Sequence, residues 1–212
     1  MHVFGLTGGL ASGKSTVGAL YRSMGVPVVD ADLVAREVVK KGLPALAELA
    51  AAFGADVLRS DGDLDRAVLA RRVFGDAEAK AKLDAIMHPK IRARSAELLK
   101  AHADAGEPLA CYEAALLVET GMADAFRPLV VVAARPELQL ARAMTRDGED
   151  TEAVKRRLAS QMPLEAKVAV ADFVVENNAD EAALKAAAEG ALLAVCARVG
   201  VDGARYGLAT AR

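Results

Sequence analysis

Short apolar runs alternate with longer stretches of helical spacing along this chain, the pattern of a parallel sheet covered by helices. His2-Val3-Phe4-Gly5-Leu6-Thr7 reads as a first strand. Val17, Leu20, Tyr21 and Met24 then follow at helical spacing, with Gly25 as the stop. Val26-Pro27-Val28-Val29 predicts a second strand ending at Asp30-Ala31-Asp32, and Leu33 to Lys41 a helix closed by Gly42. Residues 43–107 carry no strong strand signal. Pro44 to Phe53, Leu64 to Phe74, Ala77 to Met87 and Ile91 to Ala103 read as helices, with a turn at Ser60-Asp61-Gly62-Asp63 and a break at His88-Pro89. That is too long for a simple crossover and predicts a helical lobe. Leu109 to Val118, Leu129 to Val132 and Asp172 to Asn178 supply three more strands. The Leu129 run is continuous and apolar, as in a strand buried on both faces. Gln139, Arg142 and Arg146 fall on one helical face, and Glu181 to Val199 predicts an Ala-rich closing helix. Residues 201–212 show no periodicity and read as a flexible tail.

Composition narrows the partners. Hydrophobic residues make up 53% of the 212, ample for one core. Aromatics are only 4%, Trp is absent and the net charge is −2, so neither base-stacking platforms nor a basic nucleic-acid surface is expected. The two cysteines, Cys111 and Cys196, sit in apolar surroundings and read as small buried hydrophobes. The N-terminus enters the first strand directly, and no uncharged apolar run is long enough to span a bilayer. The expectation is a cytoplasmic protein with no membrane or nucleic-acid partner, a monomer or weak homo-oligomer.

The candidate chemistry centres on Gly8-Gly9-Leu10-Ala11-Ser12-Gly13-Lys14-Ser15-Thr16, which fits G-x-x-x-x-G-K-[ST]. Strand, glycine-rich loop and helix follow in the order a phosphate cradle needs. Gly9, Ala11, Ser12, Gly13, Lys14, Ser15 and Thr16 are candidate nucleotide contacts. Lys14 would reach the β- and γ-phosphates and Ser15 would ligate Mg²⁺. Asp32 follows the second strand where parallel sheets bind ligands, with Arg36 one turn on; an N-cap and an exposed charge are the plainer alternative. His88 is a weaker candidate. Glu119 is placed at the end of the third strand, where it would order a metal-bound water or a substrate hydroxyl. Arg142 and Arg146 read as a closing lid over a polyphosphate, and Asn177 lies where an adenine would sit.

These residues together resemble the dephospho-coenzyme A kinase family, collinearly from about Val3 to Asn178. The likeness is carried by Gly5-Leu6-Thr7-Gly8-Gly9, Asp30-Ala31-Asp32 with Arg36-Glu37-Val38-Val39, Leu64-Asp65-Arg66, His88-Pro89, Leu116-Leu117-Val118-Glu119, Arg146-Asp147, Gln161 and Ala171-Asp172. The family usually has Gly at Ala11, and Asp-x-Pro where this chain has Glu113-Ala114-Ala115. The resemblance implies an α/β three-layer kinase fold with a five-stranded parallel sheet. It divides the chain into a core (1–42, 108–140 and 163–200), a helical coenzyme-binding insertion (43–107) and a lid (141–162). It implies ATP and Mg²⁺ as cofactors and phosphorylation of the ribose 3′-hydroxyl of dephospho-coenzyme A. Asp32, Lys14, Arg142 and Arg146 would be catalytic; Asp32, Arg36, His88, Leu116 and Glu119 would hold the acceptor. A P-loop kinase for a nucleoside monophosphate or sugar acid, or a nucleotide-dependent switch, is the competing reading.

Overall fold

The structure is a computed structural model that describes residues 1–148 and 150–208. Its elements in chain order are β1 (His2–Gly8), α1 (Lys14–Ser23), β2 (Val28–Asp30), α2 (Ala31–Glu37), α3 (Pro44–Phe53), α4 (Arg66–Val73), α5 (Ala77–Asp104), β3 (Leu109–Glu113), β4 (Leu129–Ala133), α6 (Pro136–Asp147), α7 (Thr151–Ala159), α8 (Leu164–Ala169), β5 (Phe173–Glu176) and α9 (Glu181–Val199). They form two compact units, Met1–Asp30 with His102–Arg212, and Ala31–Ala101.

The first unit is an α/β sheet of five parallel strands in the order β2-β3-β1-β4-β5. Its register explains the core. Phe4 pairs with Cys111, and Leu6 with Val130. Alternate residues of neighbouring strands therefore share one sheet face. On that face Phe4, Leu6, Leu109, Cys111, Val130 and Val132 pack with Val17 and Tyr21 of α1 and Leu184, Ala188 and Leu192 of α9. The Tyr21 hydroxyl donates to the Ala188 carbonyl at 3.1 Å, so its one polar atom is satisfied in the apolar layer. Burial, with Cys111 and Cys196 nearby, pushes that phenol far above its ordinary pKa. Both cysteines are free and buried, as the pattern predicts.

Three expectations change here. The third strand stops at Glu113 rather than Val118, where its pairing ends on both sides: Leu6 is the last residue of β1 paired with it, and Asp30 the last of β2. The expected tail is packed as far as Leu208: Gly203–Tyr206 forms a 3-10 turn capped by Asp202, and Tyr206 and Leu208 are buried. Two apolar anchors spaced for a single tight turn leave no periodic signature to read. Residues 209–212 of that tail lie outside the described residues, as does Glu149.

The second unit carries α2, α3, α4 and most of α5. The third change lies here: α5 runs unbroken through Pro89. An interior proline removes one hydrogen bond and usually bends or ends a helix. The helix is held on both sides of it: Lys82 donates to the Ala52 carbonyl at 2.9 Å, Lys90 to Glu48 at 2.7 Å and Arg94 to Glu37 at 2.9 Å. These ties to α3 and α2 flank the proline on both sides. No helix among the described residues is long and apolar enough to cross a membrane.

Candidate active site

The loop from Gly9 to Gly13 leaves β1 and turns directly into α1. Two of its residues adopt left-handed backbone, Ala11 at φ 53° and Gly13 at φ 97°. That conformation is open to glycine and costs an L-residue about 1–2 kcal/mol. The strain at Ala11 gives a physical reason for glycine at this position, and the methyl group is accommodated here at that cost. Gly13 has no such latitude, since a Cβ there would fall 2.2 Å from Asn177 Nδ2. Ser12 N–H donates to Gly9 O at 3.1 Å, closing the turn, and Thr16 and Val17 N–H both donate to Gly13 O, starting the helix. Ser12 Oγ is buried with no protein partner. Ser15 and Thr16 stand exposed in the first turn.

Lys14 is 8% exposed, and its ammonium lies 2.7 Å from Oε1 of the fully buried Glu113. Arg22 reaches Glu113 Oε2 at 3.4 Å and Asp30 at 3.9 Å. Charges of alternating sign thus run from the loop across the ends of β3 and β2. A lone carboxylate buried this deeply would be strongly destabilising, and the two cations make its burial tolerable. Lys14, Gly18 and Arg22 lie four residues apart on one face of α1. Gly18 is the gap through which Glu113 enters, since a Cβ there would come 2.2 Å from Oε2.

Side chains from α6, from the segment between α7 and α8 and from the end of β5 hold the rest of the loop. Asn177 Nδ2 donates to Ser12 O at 2.8 Å, and Arg142 donates to Asn177 O and Oδ1 at 3.1 and 3.3 Å. Asn177 is therefore a buried brace of the loop that also seats a predicted lid arginine. Gln139 donates to Ala134 O at 2.7 Å and lies against Gly9, where a Cβ would meet its amide at 3.2 Å. Leu10 N–H donates to Gln161 Oε1 at 3.1 Å. Arg146 and Arg157 both bind Asp147, at 2.7 and 2.6 Å, and these hydrogen bonds, Arg146 first, hold that carboxylate far below its ordinary range.

Glu119 is not at a strand end, because β3 stops six residues earlier. Its Oε1 receives the fully buried Lys167 ammonium at 2.7 Å and Met162 N–H at 3.3 Å, while Oε2 is buried without a protein partner. The carboxylate at the end of β3 is Glu113. Leu116 is 44% exposed in the turn after β3. Three predicted residues belong to the second unit. Asp32 and Arg36 occupy the first and last turns of α2, and His88 on α5 lies 3.7 Å from Asp84.

Sequence reasoning missed Glu113, Arg22 and Lys167 as parts of this site. The first two had a signal, the four-residue steps Lys14-Gly18-Arg22 in α1 with an acid at the close of an apolar strand. Lys167 had none, since nothing sets it apart from a surface lysine on a short helix.

A family model described as dephospho-CoA kinase matches residues 2–183. A curated dephospho-CoA kinase from Anaeromyxobacter dehalogenans is 49% identical over 189 residues, covering 89% of this chain and 90% of that protein. The crystal structure of TT1252 from Thermus thermophilus is similar at 36% identity and a TM-score of 0.80, covering 91% of this chain and 96% of that one. The solved dephospho-CoA kinase from Campylobacter jejuni is similar at 30% identity and a TM-score of 0.62, covering 92% and 97%. With a phosphate-loop lysine paired to a buried carboxylate on a five-stranded parallel sheet, and matches of this extent, the chain belongs to the dephospho-CoA kinase family.

Proposed function

We propose that this chain transfers the γ-phosphoryl group of ATP to the ribose 3′-hydroxyl of dephospho-coenzyme A, giving coenzyme A and ADP. The observation that carries the reading is the Gly8–Thr16 loop, with left-handed Ala11 and Gly13 delivering Lys14 to the head of α1 in a chain of this family. The loop fits a polyphosphate: it is glycine-shaped at Gly13 and ends on a helix N-terminus. Ser15 offers a hard oxygen donor beside Lys14, which suits Mg²⁺. Bound there, the metal would neutralise charge on the phosphates.

The chain's own groups have distinct tasks in this reading. Lys14 leaves Glu113 for the β- and γ-phosphate oxygens, so Glu113 keeps the lysine extended before the nucleotide arrives. Gly9, Ala11, Ser12, Gly13 and Thr16 line the phosphates, and Asn177 holds the loop in register. Asp32 takes the proton of the acceptor hydroxyl as that oxygen bonds to phosphorus and the β–γ bridging oxygen departs with ADP. Its position two residues beyond β2 supports this. Arg142 and Arg146, on the 141–162 lid, balance charge on the group in transit. Arg36, His88 and Leu116 contact the acceptor. A cytoplasmic setting, as a monomer or weak homo-oligomer, belongs to the same reading.

The test is an acceptor assay with ATP and Mg²⁺, in which coenzyme A is detected directly. Dephospho-coenzyme A should be turned over far faster than any nucleoside monophosphate or sugar acid. ADP release that is no faster with dephospho-coenzyme A than with a nucleoside monophosphate would sink the proposal.

A further inference from the structure

Lys167 is the largest charged side chain with no exposure to solvent among the described residues, and the phosphate-transfer scheme does not use it. It comes from α8, yet its ammonium lies between the ends of β1 and β3. The two strands pair in register as far as Leu6 and Glu113, and the last rung is Ala114 N–H to Leu6 O at 3.0 Å. Beyond it the chains part, β1 into the phosphate loop and β3 into the turn at Ala115. The Lys167 ammonium fills the opening. It donates to Ala115 O at 2.8 Å and to Glu119 Oε1 at 2.7 Å, and lies 3.5 Å from Gly8 O. Its three N–H bonds thus meet three acceptors. Thr7 Oγ1 also donates to Ala115 O, at 3.1 Å.

The peptide between Gly8 and Gly9 is planar, so its N–H points opposite its carbonyl. A cation that draws the Gly8 carbonyl one way therefore turns the Gly9 N–H the other way. The next peptide is fixed as well, through Leu10 N–H on Gln161 Oε1 at 3.1 Å. Gln161 is joined to the same cluster, since the following residue, Met162, donates its N–H to Glu119 at 3.3 Å. The first half of the loop thus has no helix to order it, and the buried Lys167–Glu119 pair joins Gln139 and Gln161 in holding it from outside.

We propose that Lys167, seated on Glu119 and the Ala115 and Gly8 carbonyls, is a positioning residue for the donor loop: it sets the peptide planes at Gly8-Gly9-Leu10 for the nucleotide phosphates. The proposal rests on the reading of Gly8–Thr16 as the ATP site. It also moves Glu119 from acceptor contact to counter-ion, because both Lys167 and Met162 N–H occupy its Oε1.

The experiment is steady-state kinetics with ATP and dephospho-coenzyme A varied in turn, alongside thermal melting of each protein. The variants are the double Lys167→Met/Glu119→Gln, which leaves no lone buried charge, and the conservative Lys167→Arg. In folded double variant the KM for ATP should rise about tenfold, a loss of roughly one good hydrogen-bonded contact. The KM for dephospho-coenzyme A should stay within twofold, and Lys167→Arg should restore part of the ATP affinity. A purely structural role predicts the reverse pattern, a lower melting temperature with both KM values unchanged and kcat falling only with the folded fraction; that result overturns the proposal. If the double variant does not fold, Glu119→Gln alone carries the test, and an unchanged KM for ATP overturns it. Lys14→Ala separates the two levels. If it retains turnover, the donor-loop reading fails; if it is inactive while the Lys167 and Glu119 variants hold ATP normally, only the positioning role fails.

Discussion

The two units handle their polar side chains in opposite ways. In the first, Ser12, Lys14, Glu113, Gln139, Lys167 and Asn177 are all buried, and all but Lys167 belong to or touch the Gly9–Gly13 loop or its helix. In the second, Ser95 is the one buried polar side chain among the described residues. The ion pairs of that unit stay at the surface, with Lys90–Glu48 at 27% and 49% side-chain exposure and Arg94–Glu37 at 38% and 36%. Buried polar groups act in a low dielectric, where each is strongly felt and an unpaired one is expensive. Exposed pairs contribute little because water replaces them readily. The comparison teaches where rigidity has been placed: the proposed donor site is held by buried polar contacts, whereas the helical unit presents solvated charges.

The sharpest way to break this contrast is Lys14→Ala. It should lower kcat/KM by at least about 10³-fold, the scale of losing a preorganised charge at a developing anion. It should also lower the melting temperature, because Glu113 then keeps only Arg22 at 3.4 Å. A variant that melts like the wild type would show that Glu113 does not depend on Lys14.

Asp32→Asn, in the second unit, should lower kcat by about 10²-fold if Asp32 takes the acceptor proton. Its ATP affinity and melting temperature should barely move, which nucleotide titration and a thermal melt would check. A loss of only a few-fold would leave Asp32 an orienting group.

Ala11→Gly is a smaller change of opposite sign. Release of the left-handed strain at φ 53° is partly offset by the greater freedom of glycine in the unfolded chain. Stability should rise by about 0.5–1 kcal/mol, read as a shift of the urea midpoint at constant slope. A destabilised Ala11→Gly would mean that the methyl group makes packing contacts worth more than the strain.

Smallest of all, Lys90→Ala should cost about 0.2–1 kcal/mol, since its Glu48 pair is largely solvated. A loss of several kcal/mol would show that the tie beside Pro89 is what keeps α5 continuous, and would make the second unit less malleable than the contrast implies.

Much of the fold was legible in the chain because its signals are local. The loop motif needs only glycines and a lysine at set spacing, and α3 and α9 begin and end where Pro44, Gly54, Asp180 and Gly200 punctuate them. Ala171-Asp172 was legible only as part of a resemblance, and its purpose came with the fold. Asp172 accepts Leu129 N–H at 2.7 Å and Arg127 at 2.9 Å, tying the starts of β4 and β5. Burial alone would raise its pKa, but those hydrogen bonds and Arg127 hold it below the ordinary carboxylate value. The stability it contributes is present above the unfolded carboxylate pKa and is lost as the pH falls through the lowered folded one.

By itself the sequence determined the strand–loop–helix unit, the apolar strands, the helical insertion and the family likeness, because spacing along the chain decides each of them. Only the tertiary structure decided that Glu113 rather than Glu119 closes β3, that Pro89 sits inside a continuous helix and that residues 201–208 pack. It alone decided that Lys167, 159 residues from Gly8, shares a hydrogen-bonded seat with it. The reason is the same in every case. Where a strand ends, whether a proline breaks a helix and which cation a buried carbonyl faces depend on neighbours brought together by folding, and no local pattern encodes them.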